Sequence, residues 1–270
     1  RGIIPNNEYS RYNFTVRHGR ELVKDKLELD TDFFFTKSES QNGVAQGLYY
    51  NPLLPVYLFP PSENFERLKT YEIYDSGRNF ATMYWPYSNT GLDALSQNPY
   101  WITNRNMFNT GKDRFLFGAS LKYDVTDWLD ITGRARIDYT HITAEQKNYA
   151  STLGLFAGDK GRYYNNTYIT SQRYADVLAN FHKTFADGAF SLNATLGTSM
   201  MQTRSNNVSL LYEQSKFVAP GNGGAYYPNI FNPSNFYKNG TTMGLERKRL
   251  NSVFGAVTFG FKEALFLDVT

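Results

Sequence analysis

Between Asp113 and Tyr139 the sequence keeps a two-residue period almost without a break. Phe115, Phe117, Ala119, Leu121 and Tyr123 fall on one face of the first half. Leu129, Ile131, Ala135, Ile137 and Tyr139 fall on one face of the second, and Asp130, Thr132, Arg134, Arg136 and Asp138 take the other. That period marks a β-strand whose two faces meet different surroundings. It leaves two architectures. A soluble sheet buries the apolar face in a core, whereas a membrane barrel shows it to lipid and turns the charges toward a wet lumen.

The pattern recurs along the chain. It is present in 9–22, in 27–37, in 173–186 and 188–201 joined at Asp187-Gly188, in 249–261 and in 265–270. These make about eight strands of roughly 10–14 residues each, against about 9–11 for a tilted membrane strand and about 5–6 for an average soluble one. Lys183 interrupts the apolar phase of Val177, Ala179 and Phe181, close enough to the Asp187 turn to reach an interface.

The connections discriminate further. Four are short and centre near Lys24, Thr126, Asp187 and Glu263, and three long ones span 39–112, 144–172 and 205–247. Short and long alternate throughout. In an antiparallel meander successive connections lie at opposite ends, so all tight turns sit on one side and all long loops on the other. This is the asymmetry of an outer-membrane barrel, with periplasmic turns and extracellular loops. The Val125–Trp128 turn is then periplasmic, with Trp128 as an interfacial ring.

Composition narrows the function classes. The net charge is only +3, with Lys and Arg scattered, so nothing points to nucleic acid. There is no cysteine, which excludes disulfide frameworks, zinc fingers and thiol nucleophiles. Mean hydropathy is −0.50. No apolar run is long enough for a transmembrane helix, which leaves a half-apolar barrel open. Aromatic residues reach 17%, with 21 Tyr and 21 Phe, as interfacial girdles and sugar-binding surfaces both require.

No catalytic pattern stands out. His18, His141 and His182 lie far apart without metal-ligand spacing, so each is expected on the lumen or in a loop, and no metal or cofactor is expected. Glu28, Asp30 and Asp32 share a strand face and read as a charged lumen wall rather than a carboxylate pair or calcium site. Residues 246–250, Glu-Arg-Lys-Arg-Leu, form a short basic cluster at a strand start, read as an interfacial or lumenal anchor. The first long loop holds six of the ten prolines and fourteen aromatics. From it Trp85, Tyr87 and Trp101 are the candidate contacts to substrate or to a lid, because flat rings stack on sugars and peptide side chains at small entropic cost.

Three stretches resemble the SusC/RagA-type TonB-dependent outer-membrane transporters: GIIPNNEYSRYNFTVR near the start, 98–139 from Asn-Pro-Tyr-Trp through the Tyr-Asp-x-Thr-Asp-Trp-Leu turn, and 248–270. The resemblance implies an all-β fold: about eight consecutive antiparallel strands, with long extracellular loops, of a larger 22-stranded transmembrane barrel. Residues 1–270 would be part of that single barrel domain, an internal piece whose plug domain and remaining strands lie outside it. It implies active import of oligosaccharides or peptides across the Gram-negative outer membrane. The partners implied are a SusD-like surface lipoprotein and the TonB-ExbB-ExbD complex, with no enzymatic activity. On the residues alone two rivals stay open: a soluble β-rich carbohydrate-binding or glycoside-hydrolase domain, and a non-transporting barrel such as an adhesin or porin.

Overall fold

The computed structural model describes residues 2–43, 49–87, 97–153, 157, 161–213, 228–231, 238–262 and 264–270. Eight strands form one antiparallel sheet: β1 (Glu8–Val23), β2 (Leu27–Gln41), β5 (Asn106–Thr126), β6 (Leu129–Asn148), β7 (Arg162–Phe185), β8 (Phe190–Glu213), β9 (Lys238–Phe261) and β10 (Leu265–Val269). Their spatial order, β1-β2-β5-β6-β7-β8-β9-β10, is a pure meander, with β1 and β10 as its two edges. The connection between β2 and β5 carries a helix α1 (Leu53–Tyr57), a 3-10 turn (Phe65–Lys69), a hairpin of β3 (Glu72–Asp75) and β4 (Phe80–Met83), and a helix α2 (Pro99–Arg105).

The short turns lie where the alternation places them. The β7–β8 turn shows why its residues are needed. Ala189 N–H donates to Ala186 O at 3.0 Å around Asp187 and Gly188, whose φ angles are 53° and 91°. Ala186 is left-handed as well, at φ 52°, and a tight turn that asks for successive left-handed residues favours Asp and Gly, which enter that region at least cost.

The strands are longer than the alternation indicates. β7, β8 and β9 each run 24 residues. At about 3.3 Å per residue that is roughly 80 Å, far more than a tilted strand needs to cross hydrocarbon. The long connections shrink accordingly, to 42–105, 149–161 and 214–237. The reason is physical. On the outward face of β7, Ser171, Thr167 and Asn165 replace the apolar residues found nearer the turn, so both faces are polar and the two-residue signal fades while the ladder continues.

The sheet is inside out. Register across the eight strands puts Phe33, Phe117, Ile137, Val177, Leu196, Val257 and Leu267 on one face. All but the half-buried Phe33 are exposed, Val177 at 50% and Leu196 at 59%. The deeply buried strand residues on the opposite face are polar: Asp176 at 3%, Asp130 at 8% and Thr36 at 6%. A soluble sheet would show the reverse. The chain is an open segment of a transmembrane β-barrel wall, its charged face inward. Lys183 lies on the lipid side near the tight turns, its Nζ 5.6 Å from the Trp128 ring and 5.7 Å from that of Phe185, a cation resting on aromatic rings. Two histidines depart from the expectation. His18 and His141 share the outward face, and only His182 shares the lumenal one.

Candidate functional site

The tightest packing is not in the sheet but at its loop end. Trp101, Leu68, Gln97, Asn98, Asn106 and Asn148 are the largest fully buried side chains among the described residues. Asn98 caps α2 by accepting from Tyr100 N–H at 2.9 Å, with Pro99 at the first helical position. Its amide also donates to Leu68 O at 3.0 Å and Tyr84 O at 3.1 Å, so one side chain ties α2 to the 3-10 turn and the β4 exit. Gln97 donates to Tyr49 O at 2.8 Å.

Trp101 is fully buried, and its indole N–H donates to Thr152 Oγ1 at 3.0 Å. Thr152 in turn donates to Asn106 Oδ1 at 2.9 Å, which also accepts from Asn148 Nδ2 at 3.0 Å. This buried network welds the first connection to the second and to the tops of β5 and β6. Trp101 therefore shows no ring face to the surface in this chain; its position is that of a keystone between loops. The run of Asn, Thr and Trp carried no periodic signal, so the network was not legible in the sequence.

A second clamp joins the β3–β4 hairpin to α2. Arg105 donates to Glu72 through both Nε and Nη2, each at 2.7 Å, and lies 5.1 Å from the Tyr149 ring. The hydrogen bonds to Glu72 raise the guanidinium above its ordinary pKa. Met83 N–H donates to Ser151 Oγ at 2.9 Å, and Ala150 N–H donates to Asn229 Oδ1 at 2.8 Å, which draws in the third loop.

Against this scaffold Trp85 and Tyr87 are half-buried at the outer surface. Their rings meet at 5.3 Å, Tyr87 meets Phe59 at 5.2 Å, Phe59 meets Phe65 at 5.5 Å, and Phe65 meets Tyr100 at 6.4 Å. The result is a continuous aromatic ridge. Tyr87 O–H donates to Glu63 Oε2 at 3.3 Å, and desolvation together with the Glu63 charge raises the phenol pKa. Trp85 Nε1 is buried and makes no hydrogen bond to a described residue. Beside the ridge Pro52, Val56, Phe65, Tyr100 and the N-terminal Ile3 and Ile4 line an apolar hollow of about 330 Å³. The structure thus brings Trp85 and Tyr87 together and separates Trp101 from them.

The lumenal wall has its own geometry. Several of its charges find partners across the strands. Arg134 Nε and Nη2 meet the two Asp176 oxygens at 2.9 Å each, and Tyr174 O–H donates to the same carboxylate at 2.6 Å. Arg114 pairs with Asp138 through both nitrogens of its fork. Asn180 donates to Asp130 at 2.8 Å and accepts from Thr195 at 2.9 Å. Cross-strand partners are the cheapest way to hold a charge whose surroundings are only half wet. Arg136 makes no ion pair among the described residues. With Asp32, Gln172 and Tyr174 it borders a hollow of about 430 Å³ open to the lumen. Gly118 makes room there, since a Cβ at that position would collide with the Asp32 carboxylate. No group of residues suited to hold a metal ion occurs among the described residues.

No protein-family model matches the chain, and no curated protein matches it in sequence. Solved structures match it in fold. The RagAB peptide importer in its open-open state is 11% identical, with a TM-score of 0.64, over 97% of this chain and 27% of that one. The same importer in its closed-closed state gives 11% and 0.64 with the same coverage. A further structure of the RagAB peptide transporter gives 10% and 0.63, again over 97% and 27%. The chain therefore spans about a quarter of the length of the structures it matches. At this identity the likeness is one of fold: nearly all of the chain follows a stretch of those structures.

Proposed function

We propose that the chain is part of the barrel wall of a SusC/RagA-type active importer in the Gram-negative outer membrane. It works with a SusD-like surface lipoprotein as its lid and is energised by TonB-ExbB-ExbD. It has no catalytic role. The observation that carries this reading is the inverted sheet, polar where buried and apolar where exposed, with every long connection gathered at one end. A soluble carbohydrate-binding or hydrolase domain is disfavoured by that inversion.

The substrate class is oligosaccharide or peptide. The aromatic ridge at Trp85 and Tyr87 suits either. The lumenal wall favours peptides, because Asp32 and Arg136 offer charges of both signs to groups that a neutral sugar lacks. The well-packed loop end is a rigid platform on which a lid can seat without ordering cost.

Deletion of the full-length gene tests the proposal. We expect loss of growth on one defined peptide or glycan source, the same loss when TonB is removed, and uptake that saturates. Uptake that persists without TonB and rises linearly with concentration would mark a passive porin instead.

A further inference from the structure

The basic cluster at 246–250 is split by the sheet. Glu246 and Lys248 pair with Ser205 and Thr203 on the lumenal face, whereas Arg247 and Arg249 point outward. Arg204 stands directly opposite Arg247, and Gln202 stands opposite Arg249. On the other side of β8, Gln202 faces Arg173, which completes the group. Four arginines thus share the outward face of three adjacent strands, and all four side chains are exposed. Opposed residues in a sheet have Cβ atoms about 4.5–5.5 Å apart, and like charges so placed repel. No carboxylate stands near them on this face. Their outward neighbours are Ile169, Ser171, Asn206, Leu245 and Asn251. None of the four makes an ion pair among the described residues; Arg249 Nη2 instead approaches Met200 Sδ at 3.3 Å.

Their height gives the cluster its meaning. Directly below it, toward the tight turns, the same face becomes Ala175, Met200, Val253 and then Val177, Leu196 and Val257, the lipid-facing band. The arginines therefore rim the hydrocarbon on the long-loop side. At the opposite rim β7 carries Lys183, spread on aromatic rings as a lone snorkelling cation. Four unpaired guanidiniums at a membrane interface need anions, and arginine's planar fork suits phosphate oxygens two at a time. Clusters of Lys and Arg at a membrane surface attract anionic lipid headgroups.

We propose that Arg173, Arg204, Arg247 and Arg249 form a binding site for the phosphate of an anionic glycolipid in the outer leaflet. Its acyl chains lie down the band formed by Met200, Val253 and Leu196. The site rests on the reading of this face as lipid-facing and of the long loops as extracellular. It is independent of what the importer carries.

The test uses the full-length transporter purified from outer membranes in non-ionic detergent. Native mass spectrometry counts bound phosphoglycolipid for the wild type, for the Arg204→Gln/Arg247→Gln variant and for the variant with all four changed to Gln. Heat-modifiable gel migration confirms folded barrels, and external protease cleavage of the loops confirms their side of the membrane. We expect at least one phosphoglycolipid per wild-type barrel and a tenfold or greater loss in the fourfold variant. Delipidated protein should rebind the phosphorylated glycolipid but not its phosphatase-treated form, and millimolar inorganic phosphate should fail to displace it. Equal lipid retention by the fourfold variant, or displacement by free phosphate alone, would overturn the site. Loops cut only from the periplasmic side would refute the topology instead.

Discussion

Individual side chains in this protein have sharply different duties that their residue types do not announce. Trp101 and Trp85 lie in the same connection, yet one is a buried brace and the other fronts a ridge. Trp101→Ala should cost about 3–5 kcal/mol within the loop assembly, the usual range for truncating a buried aromatic. Limited proteolysis should reveal it as faster cleavage in 49–87, with the barrel itself still folded. Trp85→Ala and Tyr87→Ala should leave cleavage unchanged and weaken lid or substrate binding, read as a slower uptake rate or a faster lid off-rate. The wall offers a parallel case. Asp176 has no exposed side chain, whereas its partner Arg134 is about half exposed. Arg134→Ala would leave a buried carboxylate with Tyr174 as its only side-chain donor among the described residues, at a cost of about 1–3 kcal/mol. Adding Asp176→Asn should recover part of that loss in a double-mutant cycle of barrel unfolding.

At the level of strands and loops, the sequence is legible where lipid and water meet opposite faces. The alternation from Phe115 to Tyr139 gives β5, β6 and the turn between them, because a lipid-facing row must stay apolar along its whole height. Above the membrane this pressure disappears. Residues 162–172 of β7 and 238–247 of β9 read as loop, since both faces are wet and only the ladder's hydrogen bonds hold the strand. The same absence of period hid the β3–β4 hairpin and the Trp101–Thr152–Asn106–Asn148 network, whose logic is hydrogen bonding between segments far apart in sequence. The face assignment makes a sharp contrast at mid-height. Ala135→Arg places a charge on the lipid side at a cost of about 2–4 kcal/mol near the bilayer midplane, and the folded, heat-modifiable form should vanish. Gln172→Arg, on the lumenal face opposite Asp138, should assemble normally. Equal assembly of both variants would remove the basis for the assignment.

The whole molecule is an incomplete enclosure. β1 and β10 each pair on one side only within this chain, and unpaired strand edges cannot stand in hydrocarbon. Closure therefore calls for further strands, in keeping with a chain that spans about a quarter of the transporters it matches in fold. The loop assembly, the lumenal hollow near Arg136 and the outward arginine rim occupy three different surfaces of one wall, which we propose meet the lid, the cargo path and the lipid. All three assignments depend on which face is wet. Single cysteines bearing spin labels settle this in the full-length barrel reconstituted in bilayers, with any cysteine outside residues 1–270 replaced by Ser; within them there is none to remove. Positions 179 and 196 oppose one another on the outward face, and positions 180 and 195 oppose one another on the lumenal face. Labels at 179 and 196 should relax with dissolved oxygen and resist an aqueous nickel chelate, and labels at 180 and 195 should do the opposite. Nickel access at 179 and 196 with oxygen access at 180 and 195 would contradict the account.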